Sequence, residues 1–367
     1  MRRNAAQKRS HKMKQNLIFF AVFFVLMAAI PFAAFGGKTA GESGNPVSGP
    51  ATSQEPQSSQ DSQNRPVSLP AVESSSVGEN PPPESALTFK VLDRTSGKVL
   101  DLTENAFLYG AVAAEMPPTF RPEALKAQAV ACNAYYSEKR AEELASPTPE
   151  LKGAYFECDT ANWHIYTDGE NMRKRWGTGF DDYFGIVKAA VDSVADVRMT
   201  YNGEPVVAAY HAISGGRTED SGTVWGTSLE YLQAVESPGD LLSPDYETRV
   251  SFPAEEFKAI LTKKYPDAKP EGSPDKWLKN AKKSPSGTVT EITLCGVTLT
   301  GPKVRELFSL RSANFDITCA NDTFLFDVRG YGHGVGMSQF GANEMAAQGS
   351  SYSEILTWYY RGVTLGG

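Results

Sequence analysis

Residues 108–136 read LYGAVAAEMPPTFRPEALKAQAVACNAYY. The second half of this stretch is rich in alanine, leucine, lysine and glutamine, all strong helix formers, and opens on Pro122, which suits a first helical turn. The spacing predicts a helix from Pro122 to about Leu144, stopped before Pro147. The first half holds one carboxylate, Glu115, behind Ala111-Val112-Ala113-Ala114 and ahead of Met116-Pro117-Pro118. An acid with so little polarity around it is a candidate for a raised pKa, which a proton donor at neutral pH needs. The competing reading is a surface carboxylate near a helix start, where the dipole favours acids.

Outward from there, globular patterning begins at Leu87. Residues 88–100 read as a hairpin turning near Ser96-Gly97. Residues 199–213 read as two strands joined at Asn202-Gly203, a strong hairpin signal. Residues 288–300 alternate apolar and polar side chains around Cys295-Gly296, a third hairpin, and Gly301-Pro302 opens a short helix. A helix is expected over 337–348, ended by Gly349. Ser351 and Glu354 form a capping box for a last helix, ended by Gly362. Strands and helices mixed without a βαβ period indicate an α+β fold. Residues 239–283, weakly periodic apart from 254–265, read as an inserted lobe.

Residues 1–16 carry six basic side chains and no acid. With those set aside, 30 basic residues face 43 acidic ones, a net of −13. Nucleic-acid binding draws on a basic face, so this balance argues against it. Residues 17–35, LIFFAVFFVLMAAIPFAAF, are apolar throughout. At about 1.5 Å per residue they approach the hydrocarbon thickness, and they exceed an ordinary signal-peptide core. A single-pass membrane anchor over 17–36 is expected, with the basic tail inside and the rest exocytoplasmic. Residues 37–86, rich in Ser, Pro, Gly and Gln, lack apolar surface to offset chain entropy and read as a disordered linker that gives reach. The catalytic domain would then span 87–367. Four cysteines in a chain of 367 residues do not make a disulfide scaffold; Cys132 falls in the expected helix as a buried thiol, and Cys295 and Cys319 could pair.

Two more strings carry chemistry. Tyr210-His211-Ala212-Ile213-Ser214-Gly215-Gly216-Arg217-Thr218-Glu219 begins on a strand and ends in a turn. His211 and Ser214 invite a serine-hydrolase reading, but the G-x-S-x-G elbow is missing. Trp225 and Tyr231 follow, with flat faces that suit sugar rings or a core. Gly330-Tyr331-Gly332-His333-Gly334-Val335-Gly336-Met337-Ser338-Gln339 alternates glycine, yet no Lys-Ser/Thr follows, which excludes a P-loop. Backbone held close to a ligand or another strand is the better reading, with His333 at its centre.

Glu115-Met116-Pro117, the helix EALKAQAVA from Glu123 to Ala131, the 210–219 run and the 330–339 string together resemble the stage II sporulation protein D family, in the same order along the chain. The resemblance implies a peptidoglycan lytic transglycosylase with Glu115 as the catalytic acid. It implies a substrate cleft holding Lys126, Gln128, Tyr210, His211, Ser214, Arg217, Thr218, Glu219, Trp225, Tyr231, His333 and Gln339. Without it, Lys126 reads as a solvated lysine and His333 as structural.

The chain departs from the family in two places. Asn133 stands where an arginine is common. Some members also bind zinc through C-x-x-x-H-C, whereas here Cys158 is followed by Asn162 and Trp163; with Cys158 and His164 as two donors, no zinc or other cofactor is expected. The implied partners are glycan strands stripped of stem peptides, an amidase that strips them, other engulfment proteins, and the membrane. Products would end in 1,6-anhydro-N-acetylmuramic acid. The rivals are a non-catalytic glycan-binding protein and a muramidase-type hydrolase with a second acid at Asp159 or Glu219.

Overall fold

The computed structural model describes residues 87–367. The basic tail (1–16), the expected anchor (17–36) and the linker (37–86) lie outside the described residues. Among those described, no helix is long and apolar enough to cross a membrane.

The fold is α+β, with several small sheets around two cores. Strand β1 (Thr88–Asp93) pairs antiparallel with β2 (Val99–Thr103) and parallel with β3 (Phe156–Cys158). Helix α1 (Glu104–Glu115) follows β2 directly. Its N-cap, Thr103, accepts from the amide of Ala106, and Pro117 and Pro118 keep the chain extended after its end. Helix α2 (Pro122–Ala145) has proline in its first turn and buries Leu125, Gln128, Cys132 and Tyr136. Helices α3 (Gly169–Trp176) and α4 (Phe180–Asp192) then cover α1, and neither was expected from the sequence.

The Asn202-Gly203 turn joins β4 (Arg198–Tyr201) to β5 (Glu204–Pro205), but the expected second strand breaks off there. Residues 206–209 leave the sheet, and β6 (Tyr210–His211) pairs elsewhere. A short helix, α5 (Ser221–Trp225), comes next.

Eight of the described elements make the second core. They are β7 (Glu247–Pro253), α6 (Ala254–Lys264), the β8–β10 sheet (Leu278–Lys283, Val289–Leu294, Val297–Leu299), α7 (Gly301–Leu307), and the β11–β12 hairpin (Phe315–Ala320, Thr323–Arg329). Phe257 stacks on Phe324 with centroids 3.9 Å apart and on Phe308 at 4.7 Å. This core draws on residues from Ala254 to Val328, where the sequence indicated a lobe over 239–283. Asp240 instead faces the main unit through Ser214 and Ser338. Cys295 and Cys319 are free thiols.

The chain returns to the main core through β13 (Met337–Ser338), which pairs parallel with β6, Met337 opposite Tyr210 and Ser338 opposite His211. Helix α8 (Gln339–Ala347) starts at Gln339, not at the expected Met337, because Met337 and Ser338 are held as strand. Ser351 and Glu354 form the expected capping box of α9 (Tyr352–Tyr359). Strand β14 (Thr364–Gly366) closes the chain against β4.

Candidate active site

Glu115 is the last residue of α1, so it does not sit at a helix start. The negative end of the helix dipole and the apolar residues around it both oppose its charge. Burial raises its pKa to about 7, although hydrogen bonds from Gln339 and Tyr210 favour the carboxylate. The residue as a whole is half-buried.

The donors around Glu115 form a chain of their own. Gln339 Nε2 lies 3.4 Å from Gln128 Oε1, and Gln128 Nε2 donates to Cys132 Sγ at 3.2 Å. Cys132 Sγ in turn donates to Tyr210 Oη at 3.5 Å. Burial pushes the Tyr210 phenol well above its ordinary value and the Cys132 thiol up to about 12, so both keep their protons at working pH. Three separate stretches of sequence therefore meet at one carboxylate: α2 supplies Gln128 and Cys132, β6 supplies Tyr210, and the start of α8 supplies Gln339.

His211 and His333 lie beside this network with ring centroids 5.7 Å apart, and Trp225 lies 5.4 Å from His333. One residue, Val335, orients both imidazoles through its backbone. The Val335 amide donates to His333 Nδ1 at 3.1 Å, and His211 Nδ1 lies 3.1 Å from the Val335 carbonyl, to which it must donate. The His333 ring also bonds the Tyr210 backbone. Desolvation lowers His211 to about 4 and His333 well below its ordinary value, so both are neutral. The alternating glycines serve backbone packing. At Gly336 (φ 74°) a Cβ would sit 2.0 Å from the Ala209 carbonyl oxygen, and at Gly332 (φ 114°) 2.7 Å from His211 Cβ.

This arrangement can be set beside known proteins. A family model described as "Stage II sporulation protein" matches residues 93–201. The stage II sporulation protein D of Bacillus subtilis (strain 168) is 34% identical over 281 residues, covering 77% of this chain and 79% of that protein. The protein of the same name from Bacillus amyloliquefaciens is 33% identical over 285 residues, with the same coverage. The chain belongs to the stage II sporulation protein D family. It is also similar, at 26% identity, to the amidase enhancer of Bacillus subtilis, over 70% of this chain and 40% of that protein.

The family strings do not all reach one place. Glu115, Gln128, Tyr210 and Gln339 share one network, and His211, His333 and Trp225 adjoin it. Ser214, Thr218 and Glu219 are buried and engaged in holding the fold. Ser214 donates to Asp240, which also accepts from Ser237 and Ser338. Thr218 bonds the Val235 backbone, and Glu219 accepts from Ser284 Oγ and the Asp220 amide. Tyr231 Oη accepts from the Val207 amide at 3.0 Å. Lys126 pairs with Glu123 at 2.7 Å, and Arg217 pairs with Glu236 at 3.2 Å, both at the surface. Asn133 donates to Glu104 at 2.6 Å, a carboxylate that also takes Arg198 at 2.8 Å. Asn133 thus joins an ion pair at the far end of α1 from Glu115.

In the segment from Cys158 to His164 the side chains are engaged by the protein itself. Cys158 Sγ faces Asp93 Oδ1 at 4.0 Å. Trp163, at φ 58°, is packed with Ala113 and Met172 beneath the Arg175 guanidinium, 4.4 Å from its ring centre. Among the described residues no three His, Cys, Asp or Glu side chains gather as ligands.

Sequence reasoning placed Cys132 in a helix but missed its part in the donor chain, and it missed Asp240 altogether. Only Cys132 had a signal, since it lies one helical turn after Gln128.

Proposed function

We propose that this protein is a lytic transglycosylase that cuts peptidoglycan glycan strands, with Glu115 acting first as acid and then as base. The observation that carries this reading is one desolvated carboxylate poised near 7 by burial, with two neutral donors aimed at it and no second carboxylate contributing to its shift. A group with that pKa is partly protonated at neutral pH and can move a proton in either direction.

The reaction needs no other acid. Glu115 gives its proton to the glycosidic oxygen as the bond from the muramoyl C1 to that oxygen breaks. The C6 hydroxyl of the same sugar then bonds to C1 and returns its proton to the Glu115 carboxylate. An intramolecular nucleophile has a high effective concentration, so no water need be positioned. The products carry a 1,6-anhydro end and a free 4-hydroxyl, with no water added.

The hydrolase reading would need a second carboxylate. Asp159 is engaged by Asn162 and Thr95, and Glu219 by Ser284 and Asp220, which leaves neither poised for a water. The names of the relatives support a place in sporulation, and the amidase-enhancer relative supports work beside an amidase. In this reading, residues 17–36 anchor the chain in the cell membrane and the linker carries the domain out to the wall.

Glu115→Gln is the test. Cleavage of peptide-free glycan strands should fall about 100- to 10,000-fold while strand binding survives. An active Glu115→Gln protein would end this assignment, and a wild-type protein that binds strands without cutting them would make the fold a glycan reader.

A further inference from the structure

The stretch from Asp159 to Thr167 is held in a strained shape. Trp163 (φ 58°) and Ile165 (φ 71°) both adopt the left-handed backbone region. Bulky side chains rarely go there, and a β-branched one is an outlier that persists only where its surroundings enforce it. Here the loop closes on itself and on α1. Asp159 and His164 exchange two backbone hydrogen bonds of 3.0 Å, and the Asp159 carboxylate accepts from the Asn162 amide and side chain and from Thr95 Oγ1. The Thr167 amide donates to the Gly110 carbonyl at 3.3 Å. A Cβ at Gly110 would overlap the Thr167 carbonyl oxygen and the Tyr166 ring, so only glycine lets the loop and the helix come this close.

This loop carries Trp163 to the end of α1. The indole is 6% exposed and packs with Met172 of α3 against Ala113, itself 4% exposed. Trp176 stands beside it with ring centroids 5.6 Å apart, and the Arg175 guanidinium lies 4.4 Å from its ring centre. Ala114 packs against the same cluster, while Ala111 and Val112 belong to the main core. The final turn of α1 is therefore gripped from two sides, and Glu115 is the next residue.

Such a grip matters at that position. A helix end lacks onward hydrogen bonds and tends to fray. Helix α1 ends on the bond from the Met116 amide to the Val112 carbonyl at 2.9 Å, just before Pro117 and Pro118. A group that transfers a proton must nonetheless be placed closely, because a small displacement loses most of its advantage. We propose that Trp163 is a positioning residue for Glu115: wedged between α1 and α3, it fixes the last turn of α1 and so holds the carboxyl against Gln339 and Tyr210, away from water. It acts through Ala113 and Ala114 and not on the reacting atoms. The strained backbone at Trp163 and Ile165 is what aims the indole there. This rests on the reading of Glu115 as the acid and adds a residue outside the donor network that sets its place.

Trp163→Ala and Trp163→Phe, made in the full chain, test this. Loosening the last turn in Trp163→Ala should lower kcat on peptide-free glycan strands about 10- to 100-fold, the scale of a misplaced catalytic group, with KM within about twofold. Water admitted beside the carboxyl should lower its pKa, so the alkaline limb of the kcat/KM profile should move to lower pH. Trp163→Phe keeps a flat ring against Ala113 and should restore both. A folded Trp163→Ala protein with the wild-type kcat and limb overturns the proposal, and so does a Trp163→Phe protein as impaired as Trp163→Ala. Hydrogen exchange of the wild-type chain decides if Trp163→Ala does not fold. The amides of 113–116 should then exchange no faster than those of 108–111, and a frayed pattern overturns the proposal. If wild type cuts no strand, the acid reading falls by itself, and titration of the Glu115 carboxyl by carbon-13 NMR decides on Trp163. A lower pKa in Trp163→Ala upholds the positioning role, and an unchanged one overturns it.

Discussion

Gln339 reaches Gln128 across 211 residues of chain, its Nε2 3.4 Å from the partner's Oε1. This contact closes a loop of donors that runs through Cys132 and Tyr210 and ends, from both sides, on Glu115. Gln339 and Tyr210 both donate to Glu115, which offsets part of what burial costs the charged acid. The value near 7 is a balance between those two effects, and each can be changed separately.

Tyr210→Phe removes a donor that favours the charged form, so the Glu115 pKa should rise, by about one unit. Cleavage requires the protonated acid, so activity falls as pH passes its pKa. The alkaline limb of the kcat/KM profile should therefore move to higher pH in the variant. A limb that stays in place, or moves to lower pH, would mean that Tyr210 does not act on Glu115.

Glu115 also links stability to pH. Its native pKa of about 7 lies above the ordinary value of 4.5, so the native state holds the extra proton between those values. Its stability contribution is fully present below about 4.5 and is lost as pH rises through about 7, a change of roughly 3 kcal/mol. Glu115→Gln removes that loss. The variant should unfold at higher denaturant concentration than wild type at pH 8, and the gap should close towards pH 4.5. A constant gap across this range would contradict a desolvated carboxylate.

The lobe depends on an aromatic stack centred on Phe257. Phe257→Ala takes a fully buried ring from between Phe308 and Phe324 and should cost about 3–5 kcal/mol in chemical denaturation. A loss below about 1 kcal/mol would mean that the site collapses without a cavity.

Much of this molecule could be read from local chemistry. Pro122 and the alanine-rich run fix α2, the Asn-Gly and Cys-Gly pairs fix two hairpin turns, and Ser351 with Glu354 fixes the start of α9. The acid was legible because it stands alone in apolar sequence. What could not be read depends on long-range pairing. Met337 and Ser338 look helical, yet they are held as strand against Tyr210 and His211, and that pairing sets where Gln339 points. The site's polar contacts were equally hidden. Ser214 belongs to Asp240, Thr218 to Val235, and Glu219 to Ser284, none of which spacing within one segment can reveal.

The most direct measurement is cleavage of peptide-free glycan strands by the purified protein in water enriched in oxygen-18, with products weighed by mass spectrometry. Attack by the sugar's own C6 hydroxyl predicts 1,6-anhydro ends, no oxygen-18 in any product, and no products from Glu115→Gln. Reducing ends carrying oxygen-18 would contradict the account, because they would require a water activated by a second group that Glu115 does not have beside it.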